Sequence, residues 1–221
     1  MPPRSVQQQL RLVFTEWGLP ERLRVDNGAP WGSWSDLPPV LALWVIGLGV
    51  EMHWNDPRCP EQNGVIERSQ GLAQSWGEPG QCRSVRQFQN RIHREDRLQR
   101  EEYPSIRGLS RMAAYPELKH SGRWYSTTWE HRHWNWDLVR AHLAGYAVQR
   151  QVDCSGKIGL YSGKLYVGTM HKGRKVYVQF DPDRREWIIS DTQGQQLRAT
   201  PADELTPRAV RTLSIQPSWR K

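Results

Sequence analysis

Asp56-Pro57-Arg58-Cys59-Pro60-Glu61-Gln62-Asn63-Gly64-Val65-Ile66-Glu67-Arg68 sets two prolines and an Asn-Gly pair directly before a run that can start a helix. Pro57 and Pro60 keep the backbone extended, because each fixes its own φ and pushes the preceding residue away from helical angles. Asn63-Gly64 then reads as a turn or helix entry, so Glu67 falls in a first helical turn, where a carboxylate is held firmly and can face a cleft. Upstream, Leu23-Arg24-Val25 reads as a short buried strand running into Asp26-Asn27-Gly28, a loop signal. Asp26 therefore stands at the C-terminal end of a strand, the edge of an open α/β sheet at which ligands usually bind. Residues 27–66 leave room for a helix, a second strand and a loop between the two carboxylates.

The flanking chain fits that frame. Ser5 to Trp17 has Leu10, Val13, Phe14 and Trp17 at helical spacing, with Ser5 as N-cap and Gly18 and Pro20 as stop signals. Pro39 to Gly47 is apolar enough for a buried helix, and Val50 to Trp54 alternates as a strand. Helix, strand, helix, strand, helix argues an α/β fold with the two strands parallel. Beyond Glu67 the helix runs to about Trp76, breaks at Gly77-Glu78-Pro79-Gly80, and is followed by a long charged helix from Ser84 to about Tyr103. Val85, Phe88, Ile92 and Leu98 form its apolar stripe. Arg86, Arg91, Arg94, Arg97 and Arg100 crowd the other faces and suit either solvation with i,i+4 pairs or contact with DNA phosphates.

Asp26-Asn27-Gly28 followed by Pro57-x-x-Pro60-x-Gln62-Asn63-Gly64-x-x-Glu67-Arg68 resembles the second half of the catalytic core of retroviral-type integrases and insertion-sequence transposases. The resemblance implies part of an RNase H-like fold and an Asp, Asp, Glu triad that holds two divalent metal ions. Asp26 matches the second Asp and Glu67 the Glu, so both are expected as catalytic residues and ligands of Mg²⁺ or Mn²⁺. Asn63 and Arg68 are expected to contact DNA. Arg100 to Leu118, with Pro104 and Ala113-Ala114-Tyr115-Pro116, loosely resembles the family's segment closing the core. The first Asp of the triad and its strand have no match, and neither Asp36 nor Asp56 lies at the end of an expected strand.

Composition is consistent with a nucleic-acid partner. The chain has 221 residues and a formal net charge of +8, which favours an anionic partner such as nucleic acid. No apolar run approaches a membrane span, and the Met-Pro-Pro-Arg start lacks a signal-peptide core, so a cytoplasmic protein without membrane contact is expected. Cys59, Cys82 and Cys154 are widely spaced and read as reduced structural residues. His131 and His133 lack companions for a zinc site.

Lys119 to about Trp136 reads as a linker rich in Trp, His and Arg, with a helical piece from Asp137 to Ala144. From Gly145 the pattern changes to period two. Ala147 to Asp153, Lys157 to Tyr161, Lys164 to Thr169, Lys175 to Phe180, Trp187 to Ser190 and Gln196 to Thr200 are expected strands, divided by turns that include Ser162-Gly163. Short strands so closely spaced suggest a small barrel, which resembles the SH3-like C-terminal domain of these transposases. Arg150, Lys157, Lys164, Lys172, Arg174 and Lys175 are its candidate phosphate contacts, solvated strand edges being the alternative.

The expected order is thus a partial integrase core over 1–118, a linker over 119–144, an SH3-like β-barrel over 145–206 and a tail over 207–221. The activity implied by the resemblance is metal-dependent phosphoryl transfer on double-stranded DNA, both element ends and target, by a homo-oligomer or with full-length transposase. With two of three acids matched, the expectation is an N-terminally shortened transposase, weak or inactive alone. The alternative is a non-catalytic DNA-binding or regulatory fragment.

Overall fold

The computed structural model describes residues 1–33, 35–161 and 163–215, and of Pro60 and Val65 the backbone alone. Ser162 of the expected Ser162-Gly163 turn and residues 216–221 of the expected tail lie outside the described residues. The protein mixes helix and sheet and divides into two compact units that do not follow chain order. The first unit takes in Met1–Thr15, Leu19–Trp54 and the chain from Tyr125 on, and the second takes in Glu16–Gly18 and Asn55–Trp124.

The first unit is built around a helix with no solvent face. After helix α1 (Pro3–Trp17) and strand β1 (Arg22–Val25) comes α2 (Val40–Gly47), all eight of whose residues are buried. Val40, Val45 and Ile46 are β-branched and poor helix formers, so packing rather than propensity stabilises α2. Each fully buried large side chain there contributes about 1.5–3 kcal/mol. Pro39, extended at φ −65, caps the start, and the helix stops before Gly49, whose φ of +74 a side chain would resist. Strand β2 (Glu51–Trp54) then pairs parallel with β1, Leu23 opposite Met52 and Val25 opposite Trp54. This is the strand, helix, parallel strand order that the alternation predicts.

Among the described residues, the rest of this unit holds α6 (Thr127–His133), α7 (Trp136–Ala144), six strands and α8 (Pro207–Arg211). Strands β3 (Ala147–Gln151), β6 (Lys175–Asp181), β7 (Glu186–Ser190) and β8 (Gln196–Pro201) form one antiparallel sheet in the order β3-β6-β7-β8. Along β6, Val176, Val178 and Phe180 face the core while Lys175, Tyr177 and Gln179 face outward, the period of two that a half-buried strand requires. Trp187 and Ile189 of β7 meet them, with the Trp187 ring edge-on to Phe180 at 5.3 Å. Among the described residues, strands β4 (Lys157–Leu160) and β5 (Gly163–Tyr166) pair only with each other.

That last feature corrects the expected barrel. Among the described residues the strands form an open four-stranded sheet and a separate hairpin, and no barrel closes. Asp153 explains the excursion: its Oδ1 accepts from the Ser155 N–H and hydroxyl and from the Lys157 N–H, and its Oδ2 accepts from Lys164 Nζ at 2.7 Å. One side chain thereby ties the start of β4 to β5, whose backbones pair antiparallel from Lys157 opposite Tyr166 to Leu160 opposite Gly163.

The second unit is helical: α3 (Gly64–Gly77), α4 (Val85–Glu101) and α5 (Arg111–Ala114). The α3–α4 corner is tight, because a Cβ on Gly77 would lie 2.7 Å from Ile92 Cδ1. Trp76 meets Tyr103 edge-on at 5.2 Å, Arg91 pairs with Glu78 at 2.8 Å, and Arg100 lies 4.5 Å from the Trp17 ring centroid. Among the described side chains, no apolar one from Asn55 to Trp124 is fully buried. Phe88, Ile92 and Leu98 of the expected stripe are half-buried, whereas Val85 is 76% exposed. It is the first residue of the helix.

Candidate functional site

Asp26 follows β1 directly and its carboxylate is exposed. Its Oδ2 would lie 3.4 Å from a Cβ on Gly28, so the Asp-Asn-Gly turn curls back under the acid. Glu67 sits in the first turn of α3, also exposed, with the helix N-terminus favouring its negative charge. Among the described residues neither carboxylate enters an ion pair. Asp26 belongs to the first unit and Glu67 to the second.

The stretch before α3 is clasped by its own side chains. Gln62 donates to Asp56 Oδ2 at 2.8 Å while its carbonyl accepts the Asp56 N–H at 2.9 Å. Asn63 closes the 3₁₀ turn Pro60–Asn63, and its side-chain oxygen accepts from Asn55 Nδ2 at 2.6 Å. Arg58 takes φ +63, a left-handed conformation uncommon outside glycine. So Gln62 and Asn63 hold the motif's shape, while Glu67 and the exposed Arg68 project from it.

Carboxylates with free oxygens are the hard donors that Mg²⁺ takes. Among the described residues, however, no three His, Cys, Asp or Glu side chains gather as a metal centre would need. Asp26 and Glu67 thus offer suitable chemistry without making a two-metal centre by themselves.

The six basic residues expected on the β module fall into two sets. Arg150 pairs with Asp36, and Lys164 pairs with Asp153, an interaction that raises the Lys164 ammonium and lowers the Asp153 carboxyl from their ordinary pKa values. Lys157 is half-buried on β4, where it lies opposite Tyr166. Lys172, Arg174 and Lys175 are exposed, close together along one turn and the start of β6, and outside every ion pair among the described residues. Tyr166 of β5 stacks with Arg198 of β8, the guanidinium 5.5 Å from the ring centroid.

One buried, heavily engaged carboxylate was not a sequence candidate. Glu130, only 4% exposed, accepts from Arg11, from Trp44 Nε1 at 3.0 Å and from the Tyr125 hydroxyl. Burial alone would raise its carboxyl, yet these donors hold it below its usual value. With every donor a protein group, Glu130 serves as a structural anchor. Ser126, the N-cap of α6, is the one local signal that the surrounding stretch is helical.

An apolar cavity of about 530 Å³ in the first unit is lined by Pro3, Pro30, Pro39, Leu41, Leu213 and Ile215 among others. None of the expected site residues lines it. No family model matches the chain.

Proposed function

We propose that this chain is a DNA transposition protein of the integrase and insertion-sequence transposase type. It combines part of an RNase H-like core with an SH3-like module whose strands are open rather than closed. The observation that carries the reading is Asp26 at the C-terminal end of β1, in a parallel β1-α2-β2 unit, with Glu67 following in the first turn of α3. The same two acids are the ones the Asp-Asn-Gly and Pro-x-x-Pro-x-Gln-Asn-Gly-x-x-Glu pattern singles out. Their exposure, and their freedom from ion pairs among the described residues, support roles as ligands of Mg²⁺ or Mn²⁺. When bound, the ion would supply Lewis acidity for phosphoryl transfer on DNA. The chain's own part is to hold two of the three acids such chemistry uses, with the third coming from elsewhere. Double-stranded DNA is the partner, engaged by Arg68 and by the cations of the β module, and a second copy or a full-length transposase completes the assembly. The protein works in the cytoplasm.

A reading without catalysis, as a DNA-binding or regulatory fragment, is favoured by one observation: Lys172, Arg174 and Lys175 form a cationic set, in no ion pair among the described residues, that needs no metal to act. Calorimetric titration with Mn²⁺ separates the two. Binding to the wild type that is lost in both Asp26→Asn and Glu67→Gln supports the catalytic reading. No binding, in a chain that still holds duplex DNA, overturns it in favour of the fragment.

A further inference from the structure

The turn between β5 and β6 is a stiff cationic tip with one apolar side chain at its summit. The N–H groups of Val167 and Gly168 both donate to Gly156 O, at 2.8 and 3.1 Å. Inside the turn, His171 N donates to Gly168 O, Lys172 N to Thr169 O and Arg174 N to His171 O, at 3.0–3.1 Å. Its base is closed by Gly173 N to Val152 O at 2.9 Å and Val152 N to Arg174 O at 3.0 Å. A Cβ on Gly156 would lie 2.6 Å from the Gly168 backbone, and Gly168 itself takes φ +136, so the two glycines permit the close crossing that shapes the turn.

From this tip Met170 projects, 80% exposed, in the 3₁₀ turn Thr169–His171. A single exposed apolar residue is ordinary. Met170, however, stands in a turn closed by several backbone hydrogen bonds, beside three cations, Lys172, Arg174 and Lys175, that have no acidic partner among the described residues. The acid at the adjoining hairpin, Asp153, is already engaged by Lys164. An unbranched, polarisable thioether adapts to irregular apolar gaps, including the space between two base pairs. Proteins that kink DNA from the minor groove use this combination of an apolar wedge and flanking cations.

We propose that Met170 is a wedge that enters the minor groove of duplex DNA and partly unstacks one base step, while Lys172, Arg174 and Lys175 take the flanking phosphates. The proposal rests on the DNA reading above and adds the mode of binding: the duplex leaves the complex bent. Flexible pyrimidine–purine steps are the preferred sites, because they unstack at least cost. An anionic membrane surface would attract the same cations, but a lone methionine buries too little apolar surface to hold the tip there.

The test uses the full chain and a short duplex with a central TA step, labelled at its ends for energy transfer, with affinity followed by anisotropy over a salt series. The wild type binds and brings the duplex ends closer. Met170→Ala keeps affinity within about threefold and the same salt slope, since the phosphate contacts remain, but the bend is lost. The combined Lys172→Gln, Arg174→Gln, Lys175→Gln variant lowers the slope of log K against log salt by roughly 2–3. Circular dichroism shows whether each variant is folded, and Met170→Leu, which keeps an apolar wedge, retains the bend. A Met170→Ala complex bent like the wild type, an unchanged salt slope in the triple variant, or tighter binding to phosphatidylserine vesicles than to duplex overturns the proposal. A wild type that binds no duplex at low salt overturns the DNA reading itself, whereas binding without bending overturns the wedge alone.

Discussion

Arg11 grips the Glu130 carboxylate through two parallel hydrogen bonds, Nε to Oε2 at 3.0 Å and Nη2 to Oε1 at 2.7 Å, tying α1 to α6 across most of the chain. Because Trp44 of α2 and Tyr125 donate to the same carboxylate, three segments of the first unit meet on one buried charge. Glu130→Gln removes that charge and leaves the Arg11 guanidinium without a counter-ion. Arg11 is partly exposed, so the expected loss is about 2–4 kcal/mol at neutral pH, below that of a fully buried pair. The folded carboxyl lies below its ordinary 4.5, so its contribution is complete above that pH and is lost as pH falls through the lower folded value. Urea unfolding across the acid range should show a shallower acid limb in the variant; an unchanged limb would remove Glu130 as its source.

Gly47 faces the Trp134 indole, whose Nε1 donates to Trp44 O at 2.9 Å. A Cβ there would lie 2.2 Å from the ring. Gly47→Ala should therefore destabilise the first unit by about 1–3 kcal/mol through overpacking, despite alanine's better helix propensity. A stabilised variant in thermal unfolding would show that Trp134 moves aside freely.

His142 stacks on Trp54 at 6.5 Å, and its Nε2 lies 3.2 Å from the Tyr146 hydroxyl. Burial lowers its pKa below the ordinary 6.5, so the fold favours neutral imidazole. Its contribution to stability is full above pH 6.5 and declines as pH falls toward and through the folded value. His142→Phe should remove that decline, as read from denaturant midpoints through mildly acidic pH.

Arg150 is held by Asp36, whereas Arg174 is not paired among the described residues. Arg174→Gln should consequently weaken duplex binding more than Arg150→Gln, and Asp36→Asn should strengthen it by releasing Arg150. Equal losses for the two arginine variants, measured by anisotropy at low salt, would show that the ion pair opens on binding.

With no fully buried apolar side chain among those described in it, the second unit should open locally more readily than the core helix of the first. Amide hydrogen exchange is expected to be faster through Gly64–Gly77 and Val85–Glu101 than through Val40–Gly47, where every residue is buried. Equal protection would contradict this.

Local signals carried much of the fold. The helix expected over Ser5 to Trp17 starts two residues earlier, and the expected strand from Val50 to Trp54 and helix from Pro39 to Gly47 each lose one residue at the front. Hydrophobic period and Pro or Gly punctuation act within a few residues, so these elements were legible. Alternation in the β module likewise marked its strands, β6 among them. It could not show partners: among the described residues β4 and β5 pair with each other and not with the four-stranded sheet, and so the expected closure fails. Helix α6 hides in Thr-Thr-Trp-Glu-His-Arg-His, which has no apolar period, and Glu130 within it acquires meaning only from Arg11 and Trp44, distant in sequence. Asp26 and Glu67 were legible as acids at structured positions, whereas the clasping of Asn63 by Asn55 emerged only from the folded loop.

Trp44 and Trp187 are both wholly buried, and each indole N–H points at a carboxylate, Glu130 at 3.0 Å and Glu204 at 2.9 Å. Trp124, in contrast, is 73% exposed. The protein therefore carries built-in optical reporters of different character. Acrylamide should quench the emission of Trp124 while Trp44 and Trp187 stay shielded, and a red shift of that shielded fraction would signal that the first unit has opened around its anchoring carboxylates.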